Sequence, residues 1–225
     1  MSLAIFTGDG GPMAVISIAS SFGAGASIVA RHVGTQLGWH VVNRAIPVEV
    51  AQRLSRPLEE ALAHDERIES GLGSLFSRWA IWLAPMAGGE LPPEALARED
   101  IFKAQTEEVI RGLAERSNAV VVGRAAAFVL GDRPDALHVR LDGPLEARVR
   151  QAMAALGMSE DEARNALWQT DRARSLYVRH FYHHDWADSS VFHLIINSTA
   201  LPLDTCAKLV LEAAETRFRA SPQSH

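Results

Sequence analysis

The chemical signal begins in one glycine-rich segment, Ser20-Ser21-Phe22-Gly23-Ala24-Gly25-Ala26-Ser27. It follows the β-prone run Ala14 to Ala19 and precedes a helical pattern from about Ser27 to Leu37. Strand, glycine loop and helix in that order make an anion site, because loop amides and the helix N-terminus present partial positive charge to one point. On the pattern of a phosphate-binding loop, Ser20 takes the first glycine place and Gly25 the second. Ala26 stands where a lysine reaches the β- and γ-phosphates, and Ser27 where a hydroxyl meets Mg²⁺. Gly23, Ala24, Gly25, Ala26 and Ser27 are therefore the candidate phosphate cradle, without its usual cation. The alternative is an ordinary glycine turn between a strand and a helix.

Phosphoryl transfer needs positioning and charge neutralisation more than covalent help from the protein. Arginines that converge on phosphates supply both. Arg124 directly follows the apolar run Ala119 to Val122, and Arg44 follows the run Trp39 to Val42. Arg148 and Arg150 fall on one helical stretch, and residues two apart do not share a helix face. Only one of them can face a ligand, and Arg148 is the better placed. Asp171, Arg172, Arg174 and Arg179 form a further charged cluster. Asp171 and Arg174 are three apart, so they share a face and either contact a ligand or pair with each other.

These residues need a scaffold that gathers them. Apolar runs at 14–19, 39–42, 119–122, 136–141 and 192–196 read as strands. Helical patterns at 27–37, 94–116, 144–156, 160–182 and 203–219 separate most of them. Alternating strands and helices imply a parallel sheet with right-handed crossovers, whose ligands sit at the carboxyl ends of the strands. Residues 47–115 form a mostly helical insertion broken by Pro57, Gly71, Gly73, Gly88, Gly89, Pro92 and Pro93. The whole, 1–225, reads as one domain with a core at about 14–219 and fraying ends at 1–12 and 220–225.

Four stretches together resemble the cytidylate kinase-like family: Ile16-Ser-Ile-Ala-Ser-Ser-Phe-Gly-Ala-Gly25, Asp100 to Ala114, Val121-Val-Gly-Arg-Ala-Ala-Ala-Phe-Val-Leu130, and Pro144 to Arg150 continuing through Thr170 to Arg174 and on to Asp185-Trp186. The resemblance implies a P-loop NTPase-like three-layer sandwich: a five-stranded parallel sheet, flanking helices and a helical acceptor-binding and lid insertion. It implies transfer of the ATP γ-phosphate to a nucleoside monophosphate such as CMP, with ATP and Mg²⁺ as cofactors. By the same resemblance Arg124 holds the acceptor's phosphate, Arg172 and Arg179 belong to the acceptor site, and Arg148, Asp171 and Arg174 serve catalysis; Arg44, from its place just after the second strand, is a further candidate for the acceptor site. The family's opening usually carries two arginines where this chain has Ser20 and Ser27, and an acidic residue where it has Asn43. Those departures favour a rival of another class, a nucleotide- or anion-binding sensor or scaffold without catalysis.

Composition sets the outer limits. The 225 residues are 48% hydrophobic, enough for a sizeable core. A formal charge of −5 argues against a general nucleic-acid binder, which usually carries a basic surplus. The single cysteine, Cys206, suits a reducing compartment, and the N-terminal stretch lacks the basic region of a signal peptide. The most apolar stretch, 72–87, is too short and broken to span a bilayer. The expectation is a cytoplasmic protein with small-molecule nucleotide partners and neither nucleic acid nor membrane. Trp79 and Trp82 suit core or subunit-interface packing, which leaves a homo-oligomer open. His180, His183, His184 and Asp185 have metal-ligand spacing but also fit a polar helix end.

Overall fold

A computed structural model describes residues 13–42, 93–123 and 125–220. Arg44, Arg124, Trp79, Trp82 and the insertion up to residue 92 lie outside the described residues. The chain order is β1 (Val15–Ser20), α1 (Ala26–Leu37), β2 (His40–Val42), α2 (Pro93–Arg116), β3 (Ala119–Val122), α3 (Ala126–Leu130), β4 (Ala136–Asp142), α4 (Leu145–Leu156), α5 (Glu160–Tyr182), a short 3₁₀ turn (Ser189–Val191), β5 (Leu194–Asn197) and α6 (Leu203–Ala220). The strand bounds fall within one or two residues of those read from the sequence. Helix α3 has no counterpart there, because five residues are too few to display a helical period.

All four strand pairings are parallel, in the order β2-β3-β1-β4-β5. Strand β1 is central, so its residues are buried on both faces, which is why it reads as a nearly unbroken apolar run. Ile16 and Ile18 point to one face and join Val29 and Val33 of α1 and Val210 of α6. Val15 points to the other and joins Val109 and Ile110 of α2 and Leu130 of α3. The two clusters make the helix–sheet–helix sandwich, a P-loop NTPase-like fold. Pairing of β1 with β3 stops at Ile18↔Val122, whereas pairing with β4 continues to Ser20↔Leu141. The chain thus leaves β1 at a point where its neighbours lead away on opposite sides, the place where such sheets open a ligand crevice.

One polar pair is sealed into this sheet. Ser17 on β1 stands in register with His138 on β4. His138 is only 2% exposed. Its Nε2 lies 2.7 Å from the Gly131 carbonyl and its Nδ1 2.7 Å from Ser17 Oγ. A carbonyl can only accept, so Nε2 carries the proton and Nδ1 accepts from the hydroxyl. Both ring nitrogens are satisfied in the neutral form. Burial, reinforced by the adjacent His193 and Arg217, lowers the His138 pKa to about 4, although the Gly131 bond opposes the shift.

That shift contributes one pH-dependent share of the fold's stability. Between pH 6.5 and 4 the unfolded chain binds a proton at this residue that the native chain refuses, so stability rises with pH across that window. The contribution is fully present above the unfolded pKa and is lost as pH falls toward 4. It amounts to about 3 kcal/mol, at roughly 1.4 kcal/mol for each tenfold change in proton affinity. Urea unfolding at pH 7 and pH 4 should show this loss, and His138→Gln should flatten the dependence. An equally steep dependence in the variant would contradict it.

Candidate phosphate site

The loop after β1 is built so that its carbonyls face outward. Ser20 O accepts from Arg174 Nη1 at 2.6 Å and Phe22 O from Arg148 Nη1 at 3.0 Å. Ser21 O accepts from the Ala24 amide at 3.2 Å, and Ala24 O from the buried Ser198 hydroxyl at 2.8 Å. Among the amides, Ser21 donates to Leu141 O at 3.1 Å and Phe22 to Asp171 Oδ1 at 2.8 Å. The amides of Gly23, Gly25 and Ala26 donate to no acceptor among the described residues. Gly23 and Gly25 make this possible by adopting φ of 80° and 77°. A Cβ on Gly23 would also sit 2.4 Å from the Arg148 carbonyl, so no larger residue fits there.

Three amides without an acceptor among the described residues thus lie at or just before the start of a twelve-residue helix, an arrangement suited to an anion. A cavity of about 370 Å³ opens over it, lined by the loop, by Gly123 and Ala125–Phe128 after β3, by Gln151, Ala155 and Leu156 of α4, and by Arg174 and Tyr177 of α5. Ala125 holds the left-handed conformation at φ 54°, an unfavourable choice for a residue with a Cβ, on the cavity wall. Ala26 is buried and lines the cavity where a lysine would stand. Ser27 is exposed on the first turn of α1 and lines it too.

The α4–α5 hairpin grips the loop from behind. Phe22 packs into Val149 and Ala152 of α4 and Ala163 and Leu167 of α5. A capping box between Ser159 and Glu162 starts α5 at the turn of that hairpin. Arg148 is 9% exposed, and its guanidinium also donates to Gly143 O at 2.9 Å and to Asp171 Oδ2 at 2.6 Å. Arg174 completes the pair with Asp171 at 3.4 Å. Arg140 and Asp142, two apart on β4 and hence on one face, add a second ion pair at 3.0 Å. Burial alone would raise the Asp142 pKa, but hydrogen bonds from Ser21, the Gly143 amide and Arg140 hold it below the ordinary carboxylate value. Arg140 also lies over the Trp186 ring at 4.1 Å.

Among the described residues, Arg140, Arg148 and Arg174 thus face two carboxylates, Asp142 and Asp171, which leaves the base of the loop one positive charge in excess. Burial and the charges of Arg148 and Arg140 lower the Arg174 pKa, while Asp171 opposes them. The guanidinium nonetheless stays charged at any working pH.

The sequence reading aims Arg148 at the phosphates; the structure turns it beneath the loop, away from the cavity, because the Phe22 carbonyl and Asp171 occupy its donors. Arg174 does line the cavity. Asp171 faces the loop amide and the two arginines. Arg172 is exposed, stacked 5.3 Å over the Trp168 ring, and Arg179 is exposed; neither lines the cavity. Arg31 and Arg150 are exposed as well. No group of three or more His, Cys, Asp and Glu suited to a metal occurs among the described residues, so His180, His183 and His184 form no such site. Arg140, Asp142 and Ser198 escape sequence reasoning, because only the sheet register brings them to the loop.

The sequence profile of the cytidylate kinase-like family matches residues 15–200. The chain is 26% identical over 105 residues to a cytidylate kinase of Aeropyrum pernix, covering 47% of this chain and 60% of that protein. It is 25% identical over 122 residues to a uronate isomerase of Corynebacterium glutamicum, covering 54% of this chain and 23% of that protein. Both matches therefore span less than two thirds of the curated relatives. Its fold is similar to that of an uncharacterized protein from Eubacterium ventriosum, at a TM-score of 0.65 and 18% identity over 91% of this chain and 99% of the other.

Removing the central guanidinium should expose how much the loop depends on it. Arg148→Met keeps length but removes the donor to the Phe22 carbonyl and to Asp171 Oδ2, leaving Asp171 with Arg174 and the Phe22 amide. The expected loss is about 2–3 kcal/mol, within the range for hydrogen bonds to charged groups. Chemical denaturation checks this, and a loss under about 0.5 kcal/mol, the scale of a surface change, would contradict it.

Proposed function

The chain belongs to the cytidylate kinase-like family, and from that footing we propose that it is an ATP-dependent phosphotransferase whose acceptor is a nucleoside monophosphate such as CMP. The observation that carries this reading is the nest of free amides at Gly23, Gly25 and Ala26, opening into one cavity with Arg174. Bound phosphate oxygens would accept from those amides, and the helix N-terminus would favour their charge. Mg²⁺ keeps several waters and takes few protein ligands besides phosphate oxygens. The Ser27 hydroxyl, on the first turn of α1, fits that modest demand and would hold the ion at the phosphates. When bound, the ion neutralises charge between the phosphates.

The residues then divide the work. The nest binds and orients the phosphates. Arg174, at the cavity wall, supplies positive charge beside them. Asp171 and Arg148 keep the loop in its binding shape and do not touch the ligand. Arg124 would hold the acceptor's phosphate, and Arg44, Arg172 and Arg179 would serve the acceptor site. On this reading the protein works in the cytoplasm on small-molecule nucleotides. A second reading, nucleotide or anion binding without transfer, is favoured by Ala26 in the lysine place and by the two arginines already engaged on loop carbonyls.

ADP release from ATP·Mg²⁺ in the presence of CMP tests the first reading. Acceptor-dependent ADP supports it, and binding heat without ADP supports the second. Restoring the missing cation should sharpen either case. Ala26→Lys places an ammonium at the phosphates, and a charge-assisted bond of roughly 1.5–3 kcal/mol should tighten ATP binding about tenfold to a hundredfold. Calorimetric titration measures it, and an unchanged affinity would show that the phosphates lie elsewhere.

A further inference from the structure

One polar group at the cradle has no partner among the described residues. Gln151 lies on α4 three residues after Arg148, so both occupy one helix face. Arg148 from that face passes beneath the loop, and Gln151 meets the loop at Gly25. A Cβ placed on Gly25 would be 3.2 Å from Gln151 Nε2. That nitrogen is buried and donates to no acceptor among the described residues, although the residue lines the cavity. A buried amide nitrogen without an acceptor is unfavourable, and such groups in folded proteins ordinarily find one. The neighbouring donors are of the same kind: the Gly23, Gly25 and Ala26 amides also await an acceptor. What the place lacks is a set of acceptor oxygens.

We propose that Gln151 is a binding residue for the loop's phosphate, donating its side-chain amide to a phosphate oxygen as a neutral substitute for the absent lysine. The inference rests on the reading that the loop binds phosphate. It accounts for a site that combines Ala26 with engaged arginines: besides Arg174 at the cavity wall, the described residues offer the loop's ligand uncharged donors, three from the backbone and one from Gln151. A neutral donor contributes less than a lysine, so the site should hold nucleotide more weakly than a cation-bearing loop does.

The test uses the full chain and ATP·Mg²⁺. Gln151→Leu removes the donor and keeps the bulk beside Gly25 and Leu203; Gln151→Met is a second, unbranched replacement should Leu fail to pack. The expected result is an affinity about tenfold lower by calorimetry, the loss of one neutral hydrogen bond, together with an unfolding temperature equal to or above that of the wild type. That combination separates ligand binding from a structural role, which would lower both. Wild-type affinity retained in a folded Gln151→Leu or Gln151→Met variant would overturn the proposal while leaving the phosphate reading intact. Absence of any binding heat in the wild type would overturn both.

Discussion

Between Ser20 and Gly25 the backbone must turn its carbonyls away from the point where β1 meets α1, and no helix or sheet ladder does this for it. Donors from three other elements do. Arg148 on α4, Arg174 on α5 and Ser198 after β5 take the carbonyls of Phe22, Ser20 and Ala24. Asp171 takes the Phe22 amide and holds both arginines in place. The free amides of Gly23, Gly25 and Ala26 are the residue of that arrangement. The site depends on it, because a nest is only as good as the geometry that keeps it open.

This arrangement also changes what the arginines are for. Placed against phosphates, they would neutralise charge directly. Placed against carbonyls, they fix shape and lend a field, one net positive charge beneath the loop. On the proposed reading the loop can do without a lysine at Ala26, because affinity for an anion can come from oriented dipoles as well as from a cation. The cost is strength, since charge-assisted hydrogen bonds are roughly twice as strong as neutral ones. The chain therefore keeps the family's fold, with Ala26 in the place where a phosphate loop carries its lysine.

The strand–loop–helix unit was legible because VISIAS has the composition of a buried parallel strand and the following Gly23 and Gly25 permit only a turn. The pairing of Asp171 with Arg174 was legible from their spacing on one helix face. What that pair touches was not. Arg148, Arg174 and Asp171 reach the loop across 126 to 154 residues of chain, and helical period says nothing about such contacts. In the sequence Arg140 and Asp142 are only strand-end residues, and Gln151 is one polar residue among many on α4. Their roles come from the β1–β4 register and from how the α4–α5 hairpin seats on Phe22.

On the proposed reading phosphate enters the nest of backbone amides. Nuclear magnetic resonance of the ¹⁵N-labelled chain, titrated with ATP·Mg²⁺, observes those amides one by one. Phosphate bound there should shift the amide protons of Gly23, Gly25 and Ala26 downfield, with the Phe22 amide, already committed to Asp171, nearly still. Nucleotide binding that leaves those three signals unmoved would contradict it.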